Sequence, residues 1–139
     1  GVTPDSHMLE MAKLLHQGAQ ALQIGFARVK TNPLAAERDA AAVRKTERQA
    51  EKVYRRAIAE LFDAEHYARD LAARRKAPGE DLERLLEPMD QAECNPVVKG
   101  ISFVMEVLKR REIYRHLSNA ADHLAHAGDI LHDIVVKTA

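Results

Sequence analysis

Glu47 and Glu51 are the first side chains whose type and spacing suggest chemistry. Carboxylates at i and i+4 project from one face of a helix, where together they can chelate a hard or borderline cation. Glu47 also falls in phase with an apolar stripe of Ala36, Ala40, Val43, Ala50, Tyr54, Ala57 and Leu61. A carboxylate on a buried face needs a partner or a ligand, because removing it from water unpaired is costly. Arg44, Lys45, Arg48, Lys52 and Arg55 lie close in sequence, so on spacing alone an ordinary ion pair is the preferred reading.

The C-terminal stretch holds the second candidate. Asp122, His126, Asp129 and Asp133 step by four, three and four and share one helical face, with His116, His123 and His132 nearby. Imidazole with carboxylate suits iron, zinc or nickel. A solvated polar face is the simpler expectation. A buried di-iron site needs Glu-x-x-His pairs on two helices, and the chain has none; Asp63-x-x-His66 is its nearest approach. Cys94, expected in a linker beside Asn95-Pro96, has no assignable base, and Ser118 has no flanking nucleophile motif. No enzyme activity is expected. Arg44, Arg48, Lys52 and Arg55, with the run Lys109-Arg110-Arg111, read as solvated faces; the alternative is a docking surface for an acidic partner.

The elements that must position these groups are helices. Met8, Met11, Leu15, Ala19, Leu22, Phe26 and Val29 alternate steps of three and four, so a first helix is expected over 8–30. Asn32-Pro33 supplies a cap and a first-turn proline for a second helix, which meets no breaker before Pro78-Gly79. Asn95-Pro96 repeats the signal for a third, whose stripe is Ile113, Leu117, Ala120, Leu124, Ala127, Leu131 and Ile134. A short helix is expected over 80–86, in the acidic segment interrupted by Pro88. The fold class is therefore all-α: an elongated up-down-up three-helix bundle with a short extra helical segment between helices 2 and 3. The second and third helices would each reach roughly 60 Å and the first roughly 35 Å. The uncovered length predicts a homo-oligomer, a dimer in the simplest case.

Composition narrows the class. The chain has 139 residues, 21 basic and 21 acidic, 46% hydrophobic but 4% aromatic, with one cysteine. A zero net charge argues against a dedicated nucleic-acid binder. A lone cysteine forms no intramolecular disulfide and fits a cytoplasmic setting. No apolar run approaches the roughly 20 residues of a membrane-spanning helix. Residues 1–7 read as an expression-tag remnant, leaving 8–139 as a single helical-bundle domain.

Two stretches carry a family resemblance. Glu112-Ile113-Tyr114-Arg115-His116-Leu117-Ser118-Asn119-Ala120-Ala121-Asp122, followed by Gly128-Asp129-Ile130-Leu131-His132-Asp133-Ile134-Val135-Val136-Lys137, resembles the closing helix of the PhoU-like phosphate-transport regulators, in the branch associated with low-affinity phosphate transporters. Thr46-Glu47-Arg48-Gln49-Ala50-Glu51-Lys52-Val53-Tyr54-Arg55, continuing to Leu61-Phe62, resembles that family's preceding helix. The match covers 8–62 and 104–139, with 63–103 resembling an insertion. Family members usually have six helices in two similar halves, and this chain matches the second half. A natural half-length form would favour a dimer that rebuilds the missing half; a fragment is the other reading.

The resemblance implies a non-catalytic regulator or accessory protein, partnered by a phosphate transporter or its regulatory proteins, at the inner face of the membrane. It also implies a divalent or iron-type metal ion held by an acid followed four residues later by Asp on each of two helices. Here the first pair is Glu47 and Glu51. In the second, Ser118 replaces a carboxylate before Asp122, and His126 is the candidate substitute. The metal set is therefore Glu47, Glu51, Asp122 and His126. The rival expectations are a metal-binding helical bundle for metal chemistry or storage, and a structural oligomerisation module.

Overall fold

The computed structural model describes residues 2–63 and 91–138, with side chains from Val98 onward in the second stretch. These residues form three α-helices and no strand: α1 (Ser6–Arg28), α2 (Pro33–Leu61) and α3 (Gln91–Thr138). The all-α, three-helix expectation holds. The short helix expected over 80–86 lies outside the described residues.

Local chemistry sets the helix ends. Asp5 caps α1, its side chain accepting from the Met8 amide at 2.8 Å while its carbonyl accepts from Leu9. The helix thus starts two residues before the expected Met8. The connection closes on the Arg28 carbonyl, which accepts from the Asn32 amide at 2.8 Å. Asn32 Oδ1 then accepts from the Ala35 amide at 3.1 Å, with Pro33 in the first turn as its sequence position predicts.

Two boundaries differ from expectation. α2 ends at Leu61, where the Asp63 amide reaches back three residues to Glu60, a tightened last turn, instead of continuing toward Pro78-Gly79. α3 starts at Gln91, so Asn95-Pro96 lies inside it and the Cys94 backbone is helical rather than in a linker. Pro96 is the sixth residue of the helix, just past the first turn, so its missing N–H removes the bond that would reach back to the Ala92 carbonyl.

The chain divides into two compact units. One comprises Thr3–Ala57 with Ile113–Ala139; the other includes Ile58–Glu112. In the first, α1 and α2 run antiparallel, pairing Gly18 with Thr46, Gly25 with Asp39 and Glu10 with Arg56. The C-terminal part of α3 is antiparallel to α2, through Val43 with Gly128 and Glu37 with His132, and parallel to α1, through Gly18 with Leu124 and Gly25 with Leu131.

The buried positions recur every seven residues on each helix: Met11, Gly18 and Gly25 on α1; Ala36, Val43, Ala50 and Ala57 on α2; Tyr114, Ala121, Gly128 and Val135 on α3. That is the repeat of helices packed side by side over several turns. Most of these residues are small, and the backbones approach closely as a result. A Cβ on Gly25 would lie 2.5 Å from Leu131 Cδ2 and 3.0 Å from Asp39 Cβ. One on Gly128 would lie 3.1 Å from Val43 Cγ1. The expected inner stripes are therefore one residue out of phase in places: Phe26 and Ala19 are exposed, Val53 is buried where Tyr54 was expected, and Ile113, Leu117 and Ile134 are only half-buried.

In the second unit, Arg110 is 3% exposed, and its Nε and Nη2 both donate to Glu106 one turn earlier at 3.1 Å. The solvated face expected for Lys109-Arg110-Arg111 is corrected at Arg110, where the guanidinium is tied to a carboxylate on the same helix. Ile101, Val104, Met105 and Leu108 lie at i, i+3, i+4 and i+7 and are each at least half exposed.

The seam makes a paired prediction. Ala for Gly in a helix interior ordinarily stabilises by about 0.5–1 kcal/mol. Gly100→Ala, whose Cβ would meet nothing within 4 Å, should give that gain. Gly25→Ala should instead lower stability by about 1 kcal/mol, because fully buried Leu131 must move. Urea midpoints of the two variants check this; equal shifts of the same sign would contradict the seam.

Candidate functional site

The antiparallel α2–α3 register brings the predicted acids together. Glu47 occupies the second seven-residue line of α2, between buried Ala40 and Leu61, and is itself half-buried. It borders a gap lined by Leu14, Leu15, Thr46, Ala50, Ala121 and Leu124 that is too narrow to admit a water molecule. Thr46 beside it turns its hydroxyl back to the Val43 carbonyl at 2.7 Å, leaving Gly18 of α1 to pack against that side chain.

Glu47 therefore sits against an apolar wall with acids around its open side. Burial is the largest cause of its pKa being raised, and the charges of Glu51, Asp122 and Asp129 add to it, against a smaller opposing effect of Arg48. Of the four sequence candidates, Glu51 and Asp122 are near enough to Glu47 for their charges to act on it. His126 is exposed on α3 and is not among the groups acting on Glu47. Asp129, which sequence reasoning placed on the polar stripe but not in the site, joins the cluster. Its signal was available, since it lies seven residues after Asp122.

The cluster is partly neutralised by arginines. Arg55 donates to Glu51 at 2.5 Å one turn along α2, and Arg44 donates to Asp129 at 2.9 Å across to α3. Glu47 and Asp122 have no hydrogen-bond or ion-pair partner among the described residues. No group of three or more His, Cys, Asp or Glu placed to hold a metal ion occurs among the described residues. The ion-pair reading is thus realised at Glu51, while Glu47 is held near like charges.

Three other ties fix the register around the site. Arg28 of α1 grips Asp39 of α2 through Nε and Nη2 at 2.7 and 2.6 Å, and this carboxylate raises the guanidinium pKa. His132 Nδ1 lies 2.7 and 2.8 Å from the two Glu37 carboxylate oxygens. At the other end the buried Tyr114 hydroxyl donates to Asp5, and the His7 ring stands edge-on to Tyr114 with centroids 6.4 Å apart. Sequence reading missed this last tie because it set residues 1–7 aside.

Comparison with protein-family models, with curated proteins and with solved structures returned no match. No helix among the described residues is long and apolar enough to cross a membrane.

The raised Glu47 pKa gives a stability prediction with a definite sign. Below the ordinary glutamate value of about 4.3 the carboxyl is protonated folded or unfolded and costs nothing. As pH rises from there through the higher folded value, the folded state must hold an anion against burial and three carboxylates, so stability is lost. Glu47→Gln should therefore raise Tm by about 1–3 °C at pH 7 in metal-free buffer, with the gain vanishing near about pH 4. A lower Tm at pH 7 would show that Glu47 is favourably paired.

Proposed function

We propose that the chain is a non-catalytic regulator or accessory protein of phosphate transport that acts by binding a protein partner, with a metal ion bound at Glu47 and its neighbours. The observation that carries this reading is that half-buried Glu47 lies within reach of the charges of Glu51 on its own helix and Asp122 on the antiparallel one. These are three of the four positions named from the resemblance to PhoU-like regulators. A half-buried carboxylate beside an apolar wall, with like charges near it, creates a local demand for a cation, which a divalent ion would meet. The partner would be a phosphate transporter or one of its regulatory proteins, and the chain would act at the cytoplasmic side of the membrane.

The arginine pairs favour a second reading. With Arg55 on Glu51 and Arg44 on Asp129, the cluster is already half neutralised, as in a structural oligomerisation module without a metal. Both readings include self-association. The exposed stripe of Ile101, Val104, Met105 and Leu108 supports a homodimer, since burying such a stripe against a second copy is favourable.

Phosphate uptake in cells lacking the protein tests the functional reading: altered uptake at unchanged transporter level is expected, and unchanged uptake would overturn it. The metal component is tested on protein purified without a nickel column from iron-, manganese- and zinc-supplemented growth. Stoichiometric metal lost in Glu47→Ala/Asp122→Ala is the expected result, whereas metal-free protein would leave the structural module. Light scattering of the same preparation should return a dimer mass; a monomer mass would remove the self-association.

A further inference from the structure

α2 sorts its charges by side, and the zero net charge of the chain hides it. Glu37, Asp39, Glu47 and Glu51 are half-buried and turned toward the bundle, while Arg38, Lys45, Arg48, Lys52, Arg55 and Arg56 are exposed. At 100° per residue, Arg38, Lys45, Arg48, Lys52 and Arg56 fall within about 80° of arc, and no acid of α2 falls in that arc. They form a ridge roughly 27 Å long. Arg56 is held by Glu10 at 2.8 Å. Arg38, Lys45, Arg48 and Lys52 have no ion pair among the described residues. The exposed residues between them are Ala41, Ala42 and Gln49, so the four cations stand proud of the surface. One turn before Arg38, in the same arc, Leu34 is 67% exposed.

We propose that this ridge is a docking surface for an anionic membrane, with Arg38, Lys45, Arg48 and Lys52 against lipid phosphates and Leu34 entering the interface at its end. The ridge has no aromatic anchor, which a tight protein interface would use. A protein partner would also need carboxylates in register with the uneven steps of seven, three and four. A bilayer surface supplies negative charge at every spacing. A plane tangent to α2 meets the ridge alone, while the acids Glu37, Asp39, Glu47 and Glu51 stay behind it. A single-stranded nucleic acid would engage the same cations through phosphate, but the ridge has no aromatic on which its bases could stack. Basic residues near an anionic leaflet add their attractions within a Debye length, which suits a straight line of unpaired cations. The inference rests on the charge placement and is independent of the phosphate-transport reading.

Co-sedimentation of the full chain with vesicles tests it. Binding is expected to phosphatidylglycerol-containing vesicles and not to pure phosphatidylcholine, and to weaken by about tenfold or more between low and high salt. The variant Arg38→Gln/Lys45→Gln/Arg48→Gln/Lys52→Gln, checked for folding by circular dichroism, should lose binding by about tenfold or more. Lys45→Ala/Lys52→Ala, a milder change, should fall between it and the parent. Lys13→Gln/Lys30→Gln, which removes one exposed cation of α1 and one of the turn that follows it, should leave binding unchanged. Equal binding to both vesicle types, no binding to either, or unaltered binding by the ridge variants would overturn the proposal. So would tighter binding to polyglutamate or duplex DNA than to the anionic vesicles, which would reassign the ridge to a protein or nucleic-acid partner.

Discussion

The structure of this bundle depends on how closely its backbones can approach. Gly18 and Gly25 on α1 and Gly128 on α3 leave so little room that a single added methyl group would crowd a neighbouring side chain. Close packing of this kind fixes translation along the helix axes as well as separation, because each small residue accepts one particular partner side chain. Thr46 fits at Gly18, Leu131 at Gly25 and Val43 at Gly128. Once those three contacts are set, the ties between Arg28 and Asp39, between Glu37 and His132 and between Arg44 and Asp129 fall into reach. Such partly exposed pairs add little energy on their own. Their value is in agreeing with a register that packing has already chosen.

The same register determines the electrostatics. Glu47 occupies a line of α2 otherwise filled by Ala40, Tyr54 and Leu61, and the antiparallel partner places Asp122 and Asp129 across from it. The acids of α2 are thereby gathered toward the bundle and its bases, Arg44 apart, left outside. A chain with equal numbers of acids and bases can still present strongly polar local surfaces when a helix sorts them by face. α2 thus carries an acidic cluster on one side and a basic ridge on the other.

Much of this was legible in the residues themselves. Three helices followed from periodicity, the start of α2 from Asn32-Pro33, and the exceptional position of Glu47 from its phase with apolar neighbours. What sequence reading misjudged has a common physical origin. On α1 it placed Ala19 and Phe26 on the inner face, whereas the neighbouring glycines Gly18 and Gly25 lie innermost and Phe26 remains exposed. Asp129 was passed over because a stripe of acids on one helix does not reveal which of them faces a neighbour. Asn95-Pro96 was taken as a helix start because proline favours the first turn, yet here it lies at the sixth position of a helix that begins at Gln91. Arg110 shows the reverse error: three consecutive basic residues suggest solvent, yet the middle one is buried on Glu106.

The central claim is that close packing forces Glu47 and Asp122 into mutual repulsion across the α2–α3 contact. A double-mutant cycle with Glu47→Gln and Asp122→Asn, measured by urea unfolding at pH 7 and low ionic strength in metal-free buffer, tests it most directly. Each single variant should be stabilised, and the double variant should gain less than the sum, with a coupling of a few tenths of a kcal/mol that shrinks on adding salt. Strict additivity, or single variants that lose stability, would contradict the account.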